Sequence, residues 1–208
     1  MNRYRIFIES FLKKGYKPMF FNTDIPKKNS LLIRHDVDFD INLALEMSLT
    51  EDELNIKSSY FFLMASEFYN LLIPKNIEII KSMINQGHYV SIHFDPLLYD
   101  DVEKGFINEK ALFESTFDVQ IDFISIHRPS SSFIGSNELI GGVNHSYQPK
   151  YFNKIKYFAD SGGSFRYGNP LNSEEFSKNE AMQLVIHPIW WGNNEIDPIK
   201  ILSGFEAH

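Results

Sequence analysis

Leu31-Leu32-Ile33-Arg34-His35-Asp36-Val37-Asp38 is an apolar run that ends abruptly in acids. The pattern predicts a β-strand, and side chains two apart on a strand share a face, so Asp36 and Asp38 would project together from its C-terminal end. Two carboxylates held that close repel unless a cation, a shared proton or a basic neighbour compensates. The pair is therefore a candidate metal and general-base site. The alternative is that Asp38 or Asp40 caps the following helix and Asp36 is a solvated strand end.

Working outward, Tyr4, Ile8, Phe11 and Leu12 recur at helical spacing and Gly15 follows as a helix terminator. A polar linker, Asn22 to Asn29, leads into the acidic strand. After it comes a helix with Ile41, Ala44, Leu45 and Leu49 on its apolar face. Strands are expected at 59–64, 88–93, 121–127, 155–158 and 182–187, and helices at 73–85 and 101–117. The Ser/Gly/Asn-rich stretch from Pro129 to Tyr151 reads as a long loop, which in a compact domain is usually functional. Strands alternating with helices imply a parallel sheet with right-handed crossovers.

Polar residues fall repeatedly at the ends of these strands: Asp36 and Asp38, His93 and Asp95, His127 and Arg128, Asp160, and His187. In barrels and open α/β sheets that rim is where catalytic side chains from distant sequence positions meet.

Composition narrows the chemistry. The 208 residues carry a net charge of −7 with acids and bases interleaved, which gives no basic footprint for nucleic acid. Cysteine is absent, so disulfides and thiolate metal sites are excluded and His, Asp and Glu remain as ligands. Neither an apolar signal core nor a membrane-spanning run is evident, so a cytoplasmic location is expected.

In order, His35-Asp36-Val37-Asp38, Gly87-His88-Tyr89-Val90-Ser91-Ile92-His93, His127-Arg128-Pro129, Asp160-Ser161-Gly162-Gly163 and Leu184-Val185-Ile186-His187-Pro188 resemble the five motifs of the polysaccharide deacetylases, carbohydrate esterase family 4. The resemblance implies a distorted seven-stranded (β/α) barrel, with 1–208 forming a single polysaccharide-deacetylase-like catalytic domain. It implies a bound divalent metal, usually zinc, and hydrolysis of an N- or O-acetyl group on a sugar or saccharide intermediate.

By that resemblance Asp36 matches the catalytic base and Asp38 a metal ligand, and His93 matches the first histidine of the second motif. Arg128 matches the arginine that pairs with the base, Asp160 the acid that orients the catalytic histidine, and His187 that histidine, the general acid. The pattern breaks at Leu97, where a second metal-binding histidine is usual. A zinc-like site needs at least three protein ligands, so something must complete it. His127 is the expected substitute, with Asp95 the runner-up.

Trp190 and Trp191 are candidates for stacking on a sugar ring. His35 and His88 are expected to be structural, His145 and His208 exposed, and Tyr60-Phe61-Phe62 core. Two other classes of function stay open: a barrel glycoside hydrolase drawing paired carboxylates from Asp36, Asp38, Asp95 and Asp160, and a catalytically degenerate carbohydrate-binding protein, for which Leu97 argues.

Overall fold

The computed structural model describes residues 1–21, 23, 26–192 and 197–206. The quoted run forms β2 (Ser30–Val37), and every other strand takes its place by pairing outward from it. β3 (Ser59–Phe62), β4 (Tyr89–Phe94), β5 (Phe123–Ile126) and β6 (Asn144–His145) follow in sequence on one side. β8 (Met182–Ile186) and β7 (Lys156–Ala159) lie on the other, giving the order β6-β5-β4-β3-β2-β8-β7 with every pairing parallel. The short β1 (Lys17–Met19) pairs with the N-terminal half of β2. These seven strands curl into a half-barrel with helices outside, the distorted (β/α) barrel expected from the sequence.

The helices are α1 (Asn2–Lys13), α2 (Ile41–Glu53), α3 (Pro74–Asn85), α4 (Val102–Phe117), α5 (Pro149–Phe152), α6 (Glu174–Lys178) and α7 (Pro198–Glu206). Asp40 caps α2, its Oδ1 accepting from Asn42 N–H at 2.7 Å. Leu49, expected on the apolar face of α2, is 45% exposed, and Met47 is buried in its place. Among the described residues no helix is long and apolar enough to cross a membrane.

Strand alternation sorts residues between two unlike faces. The outer face, with Ile33, Val37, Tyr60, Phe62, Ile92, Ile124 and Leu184, is buried with Tyr4, Phe11, Ile80 and Phe113 of the helices in the main apolar core. The register places Arg34 and Asp36 of β2 on the same level as Ser59 and Phe61 of β3, Val185 of β8 beside Arg34, and His93 of β4 beside Ser125 of β5. These belong to the inner face. Its lower end is closed by Phe21, Leu32, Phe61, Phe123 and Tyr151, with Phe21 stacked on Phe123 at 4.6 Å between centroids. Its upper end is polar.

The 129–151 stretch is not all loop: it contributes β6 at the edge of the sheet. That explains His145, which is fully buried rather than exposed, since Ile124 of β5 pairs with it and Phe133 packs against its ring. His208, like Asn22, Asp24 and Ile25 of the linker, lies outside the described residues.

Candidate active site

Asp36 faces into the barrel and is 3% exposed, so its charge needs a partner close by. Arg34 supplies it from two residues earlier on the same strand face: Nε donates to Oδ1 at 2.8 Å and Nη2 to Oδ2 at 2.7 Å. Burial works against the Asp36 carboxylate, but the charges of Arg34 and His93 outweigh it and hold its pKa well below the usual carboxylate range. This corrects the assignment of Arg128 to that pairing. Arg128 has a backbone φ of 48°, in the left-handed region, and its Nη2 donates to Asp95 instead. The i, i+2 rule that paired Asp36 with Asp38 applies equally to Arg34 and could have found this contact in the sequence.

Asp38, His93 and His127 offer ligand atoms that all lie within 4.8 Å of one another. Asp38 Oδ1 is 3.4 Å from His93 Nε2 and, though buried, has no hydrogen-bond partner among the described residues. Burial and the nearby Asp36 raise the pKa of Asp38, even though His187 pulls the other way. Burial also pushes the His93 imidazole down to about 3, against the attraction of Asp36, so the ring is neutral. Each imidazole has its far nitrogen engaged: His93 Nδ1 is 2.5 Å from Ser125 Oγ, and His127 Nδ1 is 3.1 Å from Asp95 Oδ2. Such outer contacts fix ring orientation and leave Nε2 as the ligand atom. An orphaned carboxylate oxygen beside two oriented imidazoles fits a divalent cation, and one of borderline softness such as zinc suits two nitrogens and an oxygen.

Asp95, the alternative ligand, is already engaged. It accepts from Arg128, from the Leu97 N–H at 3.1 Å and shares the contact to His127. Its place is behind His127. Leu97, where a histidine is usual, is 65% exposed on the turn Pro96–Leu98.

On the opposite wall, Asp160 accepts from the His187 backbone N–H at 3.0 Å and lies 2.6 Å from its Nδ1. Burial alone would favour a neutral ring, but the hydrogen bond and charge of Asp160, with Asp38 and Asp36 behind, raise the His187 pKa to about 9. The turn after Asp160 needs glycine: Gly163 has φ +86° and a Cβ there would meet Pro198 at 2.4 Å. Pro188 ends β8, and the turn Pro188–Trp190 separates the two tryptophans. Trp190 lines the cavity. Trp191 instead turns back and donates its Nε1–H to Asp160 Oδ2 at 2.7 Å, held by Tyr4 and Phe7 of α1.

These groups converge on one cavity of about 360 Å3, lined by Asp36, Asp38, His93, His127, Arg128 and His187 among others. Asp160 sits behind His187. Tyr147 and Tyr157, which the sequence did not single out, form the inner wall with Val185. A further polar centre lies outside the barrel: buried Glu51 gathers Tyr4, His35, Ser58 and Tyr60, with His88 at 3.6 Å, which gives His35 and His88 packing and structural places away from the cavity.

No protein-family model and no curated protein matches the chain in sequence. Its structure is similar to solved ones. Peptidoglycan deacetylase PdaC from Bacillus subtilis aligns with a TM-score of 0.51 at 10% identity, over 89% of this chain and 87% of that one. Peptidoglycan deacetylase Bd3279 from Bdellovibrio bacteriovorus aligns with 0.51 at 14%, over 93% and 53%. BA3943, a carbohydrate esterase family 4 pseudoenzyme from Bacillus anthracis, aligns with 0.51 at 11%, over 93% and 65%. At such identities the likeness establishes the fold.

Proposed function

From this fold, that of the carbohydrate esterase family 4 deacetylases, we propose that the chain is a metal-dependent hydrolase that removes an acetyl group from an N- or O-acetylated sugar or saccharide intermediate. The observation that carries the reading is the placement, around one cavity, of a charge-paired carboxylate, a three-residue cation site and an imidazolium backed by an acid. Asp38, His93 and His127 would hold the ion, zinc by its donor set, which would acidify water and polarise the acyl carbonyl.

Asp36 accepts the proton of the attacking water. Arg34 keeps that carboxylate ionised and able to accept, and the ion, when bound, would supply the acidity of the water. Arg34 fixes the direction of the accepting oxygens. His187, cationic at neutral pH, donates to the leaving nitrogen, which as an amide anion would be a very poor leaving group. Asp160 and Trp191 hold the ring for that transfer. On the glycosidase reading, Asp36, Asp95 and Asp160 are each committed to a guanidinium or an imidazole, which leaves Asp38 alone of the four carboxyls to serve as a protonated acid.

The test is elemental analysis of the purified protein together with acetate release from a panel of acetylated sugars, before and after chelation. Near-stoichiometric metal and activity lost to chelator and restored by zinc are expected. Asp36→Asn should keep the metal and lose about 100-fold or more in turnover. His127→Ala should lose the metal. Chelator-resistant activity, or wild-type metal affinity in His127→Ala, would remove the reading.

A further inference from the structure

A second cavity, of about 230 Å3, opens over the ends of β3 and β4 and shares Asp38, Phe39, His127 and Arg128 with the first. Its remaining walls set an apolar side, Leu63, Ala65, Phe68 and Leu98, against a polar one of Ser66, Glu67 and Asp95. Phe68 and Leu98 are 42% and 49% exposed, and Phe39 packs against Phe68 at 4.4 Å between centroids. Asp36 and His187 line only the first cavity. The reacting bond therefore belongs there, and whatever enters the second cavity is a part of the substrate that does not react.

Arg128 stands on the shared wall. Because Arg34 holds the base, the guanidinium of Arg128 is free of that duty, and its side chain is 56% exposed. Its one carboxylate partner among the described residues is Asp95, reached through Nη2. A guanidinium has five N–H donors in a fixed fork that matches a phosphate or carboxylate. A carboxylate ends a chain, however, and loses its charge when esterified. A group that bridges two moieties and still carries a negative charge is a phosphodiester or a pyrophosphate.

We propose that the second cavity is a subsite for an apolar or aromatic group that the substrate carries beyond its acylated sugar, joined to it through a phosphate linkage that Arg128 meets at the shared wall. The inference rests on the deacetylase reading for the identity of the sugar end. The linkage chemistry is common to a lipid phosphate and to a nucleotide whose base lies on Phe68, and the experiment separates the two.

The probes are four N-acetylglucosamine compounds: the free sugar, its octyl glycoside, its anomeric octyl phosphodiester and its uridine diphosphate ester. The expected result is a kcat/KM about ten-fold or more higher for at least one phosphate-linked compound than for the octyl glycoside. Preference for the octyl phosphodiester identifies a lipid phosphate, and preference for the uridine diphosphate ester a nucleotide. In Arg128→Gln the ratio between phosphate-linked and neutral compounds should collapse to near one; a merely structural role would lower both alike. In Ala65→Trp, which fills the cavity, the advantage of the extended compounds should disappear. Equal rates on all four, or a preference that survives Arg128→Gln, overturns the subsite while leaving the deacetylase reading standing. If none is hydrolysed, the deacetylase reading falls for this sugar, and binding decides the subsite alone. Octyl phosphate and uridine diphosphate are then titrated against the protein with tryptophan fluorescence. Binding of either that is lost in Arg128→Gln supports the subsite, and no binding of either overturns it.

Discussion

Replacing Arg34 by methionine tests the rearranged ion pair directly. The Arg34 and Asp36 side chains are 1% and 4% exposed and joined by two short hydrogen bonds. Arg34→Met keeps an unbranched chain in the barrel but leaves the Asp36 charge buried without its partner, a change that costs about 3–5 kcal/mol. His93, with Nε2 at 3.7 Å from Asp36 Oδ2, offers partial relief by taking a proton, which places the expected cost near the lower end, about 3 kcal/mol. Arg34→Met combined with Asp36→Asn removes both charges and should recover most of that loss, leaving about 1 kcal/mol. Arg128→Met is the control: the guanidinium is 56% exposed, and buried Asp95 keeps its contacts to the Leu97 N–H and His127 without it, so the expected loss is about 1 kcal/mol or less. The assay is urea unfolding near neutral pH, with chelator present so that altered metal affinity does not enter, and with slopes compared before free energies are subtracted. Equal costs for Arg34→Met and Arg128→Met, or a double variant no more stable than Arg34→Met, would refute the assignment of Arg34 as the partner of the base.

His187→Ala should lower turnover on N-acetyl amides by about 100-fold or more while O-acetyl esters suffer less, because an alkoxide leaving group depends less on protonation; equal losses on both would remove the acid role. Glu51 predicts an acid transition. Burial opposes its ionisation, but His35, His88 and Ser58 outweigh this and lower its pKa to about 2 from 4.5. The unfolded chain therefore binds the extra proton: the stabilisation is complete above about 4.5 and lost as pH falls towards 2, on the order of 3 kcal/mol across that window. Urea midpoints measured from pH 6 to 2 should show a fall that flattens in Glu51→Gln, and an unchanged slope in that variant would place the acid sensitivity elsewhere.

What the sequence disclosed follows what is local in it. The strand–helix alternation, the capping Asp40 and the rim position of each acidic or histidine strand end all depend on spacings of a few residues, and the fold could be read from them. One reading failed and another stayed undivided, both because they depended on distant neighbours. His145 sits in a Ser/Gly/Asn-rich stretch with no strand periodicity, and only its pairing with β5 buries it. Trp191 follows Trp190 directly, yet the turn after Pro188 sends one into the cavity and the other behind Asp160, which no local pattern distinguishes. Arg34 is a different case. Its spacing from Asp36 is as legible as that of Asp38, whereas the motif resemblance assigns the same duty to Arg128, whose guanidinium meets Asp95 instead.

Helix α1 precedes several of the elements it packs against by most of the fold, which has a consequence for how the molecule is completed during synthesis. Phe7 packs on Phe165 and Trp191, Phe11 on Phe176, and the Tyr16 hydroxyl donates to the carbonyls of Glu175 and Glu180. β2 likewise waits for β8, while β3 to β6 add to its other edge in the order they emerge. The ribosome therefore delivers α1 with its early partners His35 and Glu51 but long before these late ones, and closure of the long segment between must precede its full docking. Since Trp191 is both the last of those partners and a hydrogen-bond donor to Asp160, the Asp160–His187 wall of the cavity is assembled in the same late event that seats α1. A nascent chain stalled before Asp160 emerges would carry Asp36, Asp38, His93 and His127 but lack Asp160 and His187.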